Sequence, residues 1–219
     1  MTIRLYDSGE RRYPRSPSRL LSGVVVNDLE LATHGNILVR VPALHLEVWA
    51  RLVSAGGGQG TGIFFQPRVG DEVLVALSGE DAFVIGGMHS PSKSPPVSDP
   101  LEAKTKRVIQ TGLAGGVPGH RVEFDDAEQT ITIESSTRQK ITVSPTSIEL
   151  ANTAGTLVIS MSNTDQTISI TGVNVEITAR ARLSLSGRMV EIAGTGPVTI
   201  SSAAPCTVKG KPIQLNPPV

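Results

Sequence analysis

Acidic side chains that stand close together in the sequence are the first candidates for chemistry. Asp125, Asp126 and Glu128 lie within four positions, and Glu80 and Asp81 form a second, smaller group. Two carboxylates across a cleft can act as general acid and base in the hydrolysis of a polysaccharide. Both groups also lie between alternating apolar segments, where Asp favours tight turns. We therefore expect both groups to lie in turns, and the sequence predicts no catalytic residues.

The histidines and the single cysteine are the candidates for a metal site. His34, His45, His89 and His120 are scattered, and no pair has the close spacing typical of zinc ligands. Cys206 is the only cysteine, so no intrachain disulfide can form. The sequence therefore predicts neither a metal site nor a cofactor. One unpaired cysteine is also in keeping with a protein made in a reducing cytoplasm.

Three aromatic residues and a glycine-rich segment are the candidates for nucleotide or nucleic-acid binding. Residues 56–60 lack the Gly-Lys-Ser/Thr of a phosphate-binding loop, so we expect a loop between strands. Trp49, Phe64 and Phe65 could stack on bases. However, 20 Lys and Arg balance 20 Asp and Glu, whereas nucleic-acid binders carry a basic excess. We expect these aromatic residues in a barrel core and at contacts between copies, and expect no nucleic-acid partner.

The composition also limits the kind of core and the relation to membranes. Aromatic residues make up 3% of the chain and hydrophobic residues 39%, which predicts a thin core of Val, Ile and Leu. No apolar run approaches the 18 residues of a membrane-spanning helix. Residues 1–10 hold no apolar run of signal-peptide length. We therefore expect no membrane anchor within the chain.

Four regions differ in composition and predict the domain organisation. Residues 1–19 are polar and rich in Arg and Pro, which predicts an N-terminal arm. Residues 20–89 hold β-branched segments, residues 90–119 form a linker rich in Pro, Ser and Gly, and residues 120–219 hold very short strands. Only residues 99–110 could supply a turn or two of helix, without an apolar stripe. The sequence therefore predicts an all-β fold.

The second region predicts a small closed barrel. Its strand candidates are β-branched or alternating, and turn residues such as Gly70 and Asp71 separate them. The candidates are residues 20–27, 36–42, 47–54, 72–77 and 82–86. Five short strands in this length predict a five-stranded barrel of the OB type.

The last region carries apolar pairs two positions apart, with mostly polar residues around them. Each pair predicts one short strand that is apolar on one face, followed by a tight turn. The pairs are Val122/Phe124, Ile131/Ile133, Ile141/Val143, Ile148/Leu150, Leu157/Ile159, Ile168/Ile170, Val175/Ile177, Leu183/Leu185, Val190/Ile192, Val198/Ile200 and Ile213/Leu215.

A lone ribbon of such strands leaves its apolar face in water, so it needs partners with the same face. A single-chain solenoid requires a more regular repeat than this one. Three identical chains around one axis would bury the pairs, with each strand hydrogen-bonded to a strand of a neighbouring chain. The sequence therefore predicts a homotrimer with an intertwined triple-stranded β-helix (β-prism). The predicted trimer core is Ile131, Ile133, Ile141, Val143, Ile148, Leu150, Ile168, Ile170, Val175, Ile177, Leu183, Leu185, Val190, Ile192, Val198 and Ile200.

Several segments resemble the phage baseplate central spike and VgrG-like spike protein family. The most specific segment is GIFFQPRVGDEVLV at 62–75, which resembles the OB domain of this family. Other segments that resemble the same domain are GVVVN at 23–27, VRVPAL at 39–44, VWAR at 48–51 and FVIGG at 83–87. HRVEFDD at 120–126, followed by QTITI at 129–133, resembles the entry to the VgrG β-helix.

The resemblance implies a structural spike of a contractile injection system or contractile phage tail baseplate. In this family an OB collar attaches to the hub at the end of the tail tube, and a trimeric β-helix pierces the target envelope mechanically. Such a protein is part of a virion baseplate or injection particle, and its membrane contact is a transient puncture. Phage tails, tailocins, extracellular injection particles and type VI apparatuses all contain this part.

Three departures from the family sharpen these expectations. No hub-like half precedes residue 20, so the hub is expected to be a separate protein. The linker 90–119 is too short for an inserted lysozyme domain. Two alternative functions stay open: a spike-borne cell-wall or polysaccharide hydrolase, and an OB-fold nucleic-acid-binding protein. No His-x-His follows His120, so a separate PAAR-type tip protein is expected. The expected docking residues are Lys209, Lys211, Ile213, Gln214, Leu215 and Asn216.

Overall fold

The structure, a computed structural model, describes residues 18–113 and 116–213 of the chain. Twelve β-strands and helical segments of at most four residues lie in these ranges, which confirms the predicted all-β fold. The chain divides into two units, residues 1–171 and 172–219. No helix in the described ranges is long and apolar enough to cross a membrane. The predicted N-terminal arm falls outside the described residues as far as residue 17.

The first five strands close into a barrel, as the sequence predicts. They are β1 (Arg19–Asn27), β2 (Asn36–Val41), β3 (Leu46–Leu52), β4 (Glu72–Ser78) and β5 (Asp81–Gly87). Their order around the barrel is β1-β2-β3-β5-β4, and β4 pairs with β1 to close it. Only the β3–β5 contact is parallel among these pairs. The helix α1 (Leu31–His34) and a 3-10 turn at Pro42–Leu44 lie between the first three strands.

The barrel core consists of small and β-branched residues. Every second residue of a barrel strand points inward and fills the interior, because side chains alternate between the two faces of a strand. The buried cluster contains Val25, Ile37, Val39, Ala50, Val73, Val75, Ala82 and Val84. Gly23 on β1 is also buried, and a Cβ there would lie 2.4 Å from Cγ1 of Val39 and 3.0 Å from Cγ2 of Val75. The interior therefore has no room for a larger side chain at this position.

The remaining seven strands form one antiparallel sheet in which sequence neighbours pair. After the short helix α2 (Glu102–Thr105) come β6 (Lys106–Gly112), β7 (Pro118–Asp125), β8 (Thr130–Glu134), β9 (Lys140–Val143), β10 (Ser147–Ala151), β11 (Val158–Ser162) and β12 (Thr167–Thr171). The expectation that each strand pairs with a neighbouring chain is wrong for this segment, because short turns let consecutive strands pair within one chain. Strand β6 lies inside the segment 90–119 for which the sequence predicts only a linker.

Residues 172–213 contain no strand. The apolar alternation continues through this segment, yet a strand exists only when its backbone bonds to a second strand. No described segment of the same chain takes that place. The strands predicted at Val175/Ile177, Leu183/Leu185, Val190/Ile192 and Val198/Ile200 are therefore not found in the structure of the single chain. Ile213 also lies outside any strand, and its predicted partner Leu215 is outside the described residues.

The close contact at Gly23 generates a stability prediction. Gly23→Ala should destabilise the barrel by about 1–3 kcal/mol, because the added methyl overpacks a filled interior. Gly86→Ala on β5 is the matched control, since a Cβ there meets nothing within 4 Å. Chemical denaturation of both variants measures the difference. Equal free energies of unfolding in the two variants would contradict the tight packing at Gly23.

Candidate functional site

Two rows of apolar side chains run across strands β7 to β12. Val122 faces Ile133, which in turn faces Ile141, and the alignment continues from strand to strand. One row is Val122, Ile133, Ile141, Leu150, Ile159 and Ile170, and the other is Phe124, Ile131, Val143, Ile148, Met161 and Ile168. Residues two apart share one face of a strand, so all twelve side chains lie together. We call this surface the apolar face.

The apolar face is open to solvent in the single chain. Eleven of its twelve side chains are exposed, from 37% at Ile141 to 73% at Ile168, and Val122 is half-buried. Thr132 and Ser160, on the opposite face, are less exposed than their apolar neighbours. An antiparallel sheet normally buries its apolar face, and monomers rarely leave so large an apolar patch uncovered. The apolar face is therefore the candidate binding surface.

The structure places the predicted core residues of the first unit together on this face. They are Ile131, Ile133, Ile141, Val143, Ile148, Leu150, Ile168 and Ile170. Sequence reasoning missed Met161, which completes strand β11 opposite Ile168, and it paired Ile159 with Leu157 instead. Leu157 precedes the strand. The sequence does show apolar residues at three alternating positions there, Leu157, Ile159 and Met161. The position of the preceding turn decides which two of them lie in β11, and apolar alternation does not give that position.

The other eight predicted core residues lie in the second unit. All of them are exposed, and no described strand brings them together. They are Val175, Ile177, Leu183, Leu185, Val190, Ile192, Val198 and Ile200. Of the predicted tip-docking residues, Lys209, Lys211 and Ile213 are exposed, whereas Gln214, Leu215 and Asn216 lie outside the described residues. Their role in a trimer core or tip contact stays a prediction.

The acidic cluster after β7 forms a turn. Asp125 is 8% exposed, and its Oδ1 accepts hydrogen bonds from the backbone N–H groups of Ala127 and Glu128 at 3.0 and 3.2 Å. Asp126 points away, with 68% of its side chain exposed and the Arg107 guanidinium 3.9 Å away. One carboxylate thus holds the turn and the other faces solvent. This arrangement matches the turn expected from the sequence and does not place the two acids across a cleft.

Lys106 is the cation at the centre of the charges beside this turn. Its ammonium lies 3.2 Å from the carboxylate of Glu102, 4.0 Å from that of Glu123 and 3.9 Å from that of Asp125. The hydrogen bond to Glu102 raises the pKa of Lys106 above its usual value, and the other carboxylates add to this effect. The lysine therefore stays charged and joins α2 to β6 and β7, so it has no neutral form available as a general base at neutral pH.

The four histidines occupy separate local structures, and His89 lies in the segment that follows β5. His34 ends α1 beside Thr33, His45 has a left-handed backbone, and Nδ1 of His120 lies 3.3 Å from the Ser136 nitrogen as a hydrogen-bond acceptor. Within residues 18–113 and 116–213, no three His, Cys, Asp or Glu side chains come together as metal ligands do. The described part of the chain thus offers no assembled metal site.

The aromatic candidates lie on the surface of the barrel. Trp49, Phe64 and Phe65 are 42%, 61% and 54% exposed, so the expectation that they fill the barrel core is wrong. Trp49 takes the outward position of β3 because Ala50 takes the inward one, and the narrow interior is filled by small and β-branched residues. Phe64 and Phe65 border a shallow groove between the β3–β4 loop and the end of β6. Residues 56–60 form a turn within the same loop, as expected.

Comparison with known families assigns the barrel. Residues 21–89 match the family described as the type VI secretion system/phage-baseplate injector OB domain. The matched range covers all five barrel strands except the first two residues of β1. The search of curated proteins returned no match. The family match and the closed five-stranded barrel agree on the fold of this region.

The structural role of Asp125 can be tested against its neighbour. Asp125→Ala should lower the free energy of unfolding by about 1–3 kcal/mol, because two backbone N–H groups lose their acceptor. Asp126→Ala should change it by less than about 0.5 kcal/mol, since this side chain is exposed and its ion pair is long. Urea denaturation of the two variants gives both values. An equal loss in both would show that the turn does not depend on Asp125.

Proposed function

Because residues 21–89 form an OB domain of the type VI secretion system/phage-baseplate injector family, we propose that this protein is a structural central spike. The barrel is the collar that attaches to a hub protein at the end of a tail tube. The sheet and the segment that follows it form a trimeric needle that pierces the target envelope. In this role the protein transmits force, enters a membrane only as a transient puncture, and carries out no chemistry.

The open apolar face is the observation that supports a trimer most directly. Its exposed side chains are about half covered already, so covering the remainder would contribute roughly 1 kcal/mol each, on the order of 10 kcal/mol per chain. Three copies around one axis can turn all three faces inward and form a prism with a dry interior.

Residues 172–213 are the part of the needle that we propose is intertwined. The alternation of Val175/Ile177, Leu183/Leu185 and Val190/Ile192 is the same as that of the strands in the sheet. Because the described part of the chain supplies no strand partner for them, we propose that these segments form strands with other chains, where backbone N–H and C=O groups find acceptors and donors. The needle therefore begins as three sheets of one chain each and continues as a triple-stranded β-helix.

Lys209, Lys211 and Ile213 support a contact at the far end of this segment. In a trimer the two lysines would occur three times around one axis, close to an apolar ring of Ile213. A small tip protein of PAAR type with an apolar base and an acidic rim would fit this end. The outer surface of the collar, including the loop with Phe64 and Phe65, is available for contacts with a hub.

The trimer itself is tested by mass. Light scattering after size exclusion should give three times the 23.0 kDa mass of the chain, with no shift toward monomer on dilution. Detection of a stable 23.0 kDa species under native conditions would refute the spike proposal.

Placing charge on the apolar face tests which surface forms the trimer. Ile170→Asp on β12 should abolish or strongly weaken trimerisation, because three carboxylates would meet on a dry axis. Ser169→Asp is the matched control, since it adds the same charge to the next residue on the opposite face. The control should remain trimeric with a melting temperature within a few degrees of the parent. If both variants were equally heat-resistant, the apolar face would not be the trimer interface.

A further inference from the structure

The turn that precedes β4 is built around one carboxylate. The backbone N–H of Arg68 donates to Oδ2 of Asp71 at 2.8 Å, and the N–H of Asp71 donates to the carbonyl of Arg68 at 2.8 Å. The same turn is fixed to the barrel, because Gly70 and Asp71 exchange backbone hydrogen bonds with Val25 on β1. The turn 68–71 is therefore a rigid part of the barrel.

Two cationic side chains connect this turn to the rest of the first unit. The guanidinium of Arg68 donates to the carbonyls of Gly112 and Leu113, at the end of β6. The ammonium of Lys93 donates to the carbonyl of Gly70 and to Oδ1 of Asp71. Arg68 thus joins the barrel directly to the seven-stranded sheet, and Lys93 fastens to the barrel the segment that leads to the sheet.

A third cation holds that segment from the other side. The Arg121 guanidinium on β7 donates to the carbonyl of Pro96 at 3.4 Å, and its remaining donors bind Glu123 and Gln110. Residues 90–96 are therefore bonded to the barrel through Lys93 and to the sheet through Arg121. In the described ranges, these side-chain hydrogen bonds connect the barrel and the sheet in addition to the covalent chain between β5 and β6.

We propose that Arg68, Asp71 and Lys93 form a joint that makes the barrel and the sheet one mechanical body. Asp71 orients the loop that carries Arg68, and it neutralises the charge of Lys93. A single carboxylate therefore positions both cationic side chains. The joint deepens the spike proposal, because it names the path by which load on the collar reaches the needle. None of the three side chains belongs to the barrel core, so each can be replaced without opening either body.

Proteolysis of the segment between the two bodies tests the joint in the full-length protein. Thermolysin cleaves before apolar residues such as Val97 and Leu101, neither of which is altered in the variants. Arg68→Ala combined with Lys93→Ser should raise the cleavage rate in residues 88–101 about tenfold, because Lys93 no longer fastens the segment to the barrel and Arg68 no longer joins the barrel to the end of β6. The thermal transition should also broaden or split as the barrel and the sheet begin to unfold separately.

The matched control is Arg40→Ala combined with Arg51→Ala. These two cations pair with Glu47 and Asp81 on the outer surface of the barrel, so their removal deletes the same charge without touching the joint. A cleavage rate within twofold of the parent is expected. If the joint variant stayed within twofold, or if the control rose equally, the joint would be refuted.

A milder variant guards against loss of folding. Asp71→Asn keeps an oxygen for the Arg68 N–H but removes the charge facing Lys93. Cleavage should rise about threefold at low salt, and in 1 M NaCl, where the parent's ion pair is screened, the difference from the parent should disappear. No rise at low salt would overturn the role of Asp71. All of these contacts lie within one chain, so a monomeric mass would refute the spike and leave the joint to be decided by these rates.

Discussion

The alternation of apolar and polar residues with a period of two, kept in phase from strand to strand, is the constraint on which the sheet depends. A slip of one residue in any turn would move every later apolar side chain to the other face. The turns after β7 and β8 differ in length, yet both rows of the apolar face run unbroken from Val122 and Phe124 to Ile170 and Ile168. Left-handed residues such as Gln129 and Arg138 let these turns close without shifting the register.

The barrel and the sheet differ in how their apolar side chains are covered within the chain: the barrel closes on itself, whereas the sheet stays open. The barrel pairs its first strand with its fourth, so its inward residues meet one another and its sheet edges disappear. Strands β6 to β12 follow each other in a simple meander, and no described segment of the chain folds back over the apolar face. Closure of the barrel requires β1 to pair on both sides, with β2 and with β4, whereas β6 and β12 at the two ends of the meander each pair on one side only.

This difference explains which features could be predicted from the sequence. The barrel strands were predicted to within about two residues because turn residues and β-branched runs mark them locally. The outward position of Trp49 was not predictable, since alternation alone does not say whether Ala50 or Trp49 faces the core. The face shared by Ile133 and Ile141 was predicted correctly, but the pairing within one chain was not. Side-chain period fixes the face of a strand, whereas the partner depends on turn geometry that residue types specify weakly.

The direction of the sheet's hydrogen bonds would suit the compressive load of the proposed spike. Consecutive strands stack about 4.8 Å apart, and their backbone hydrogen bonds point along the stacking direction. A force along this direction presses each strand onto the next, so packed atoms as well as hydrogen bonds oppose it. Tension along the same direction would instead load the hydrogen bonds of one strand pair at a time. In the proposed spike the load would be compression, and the connection between the barrel and β6, which depends on a few side-chain hydrogen bonds, would carry that load to the ladder of strands.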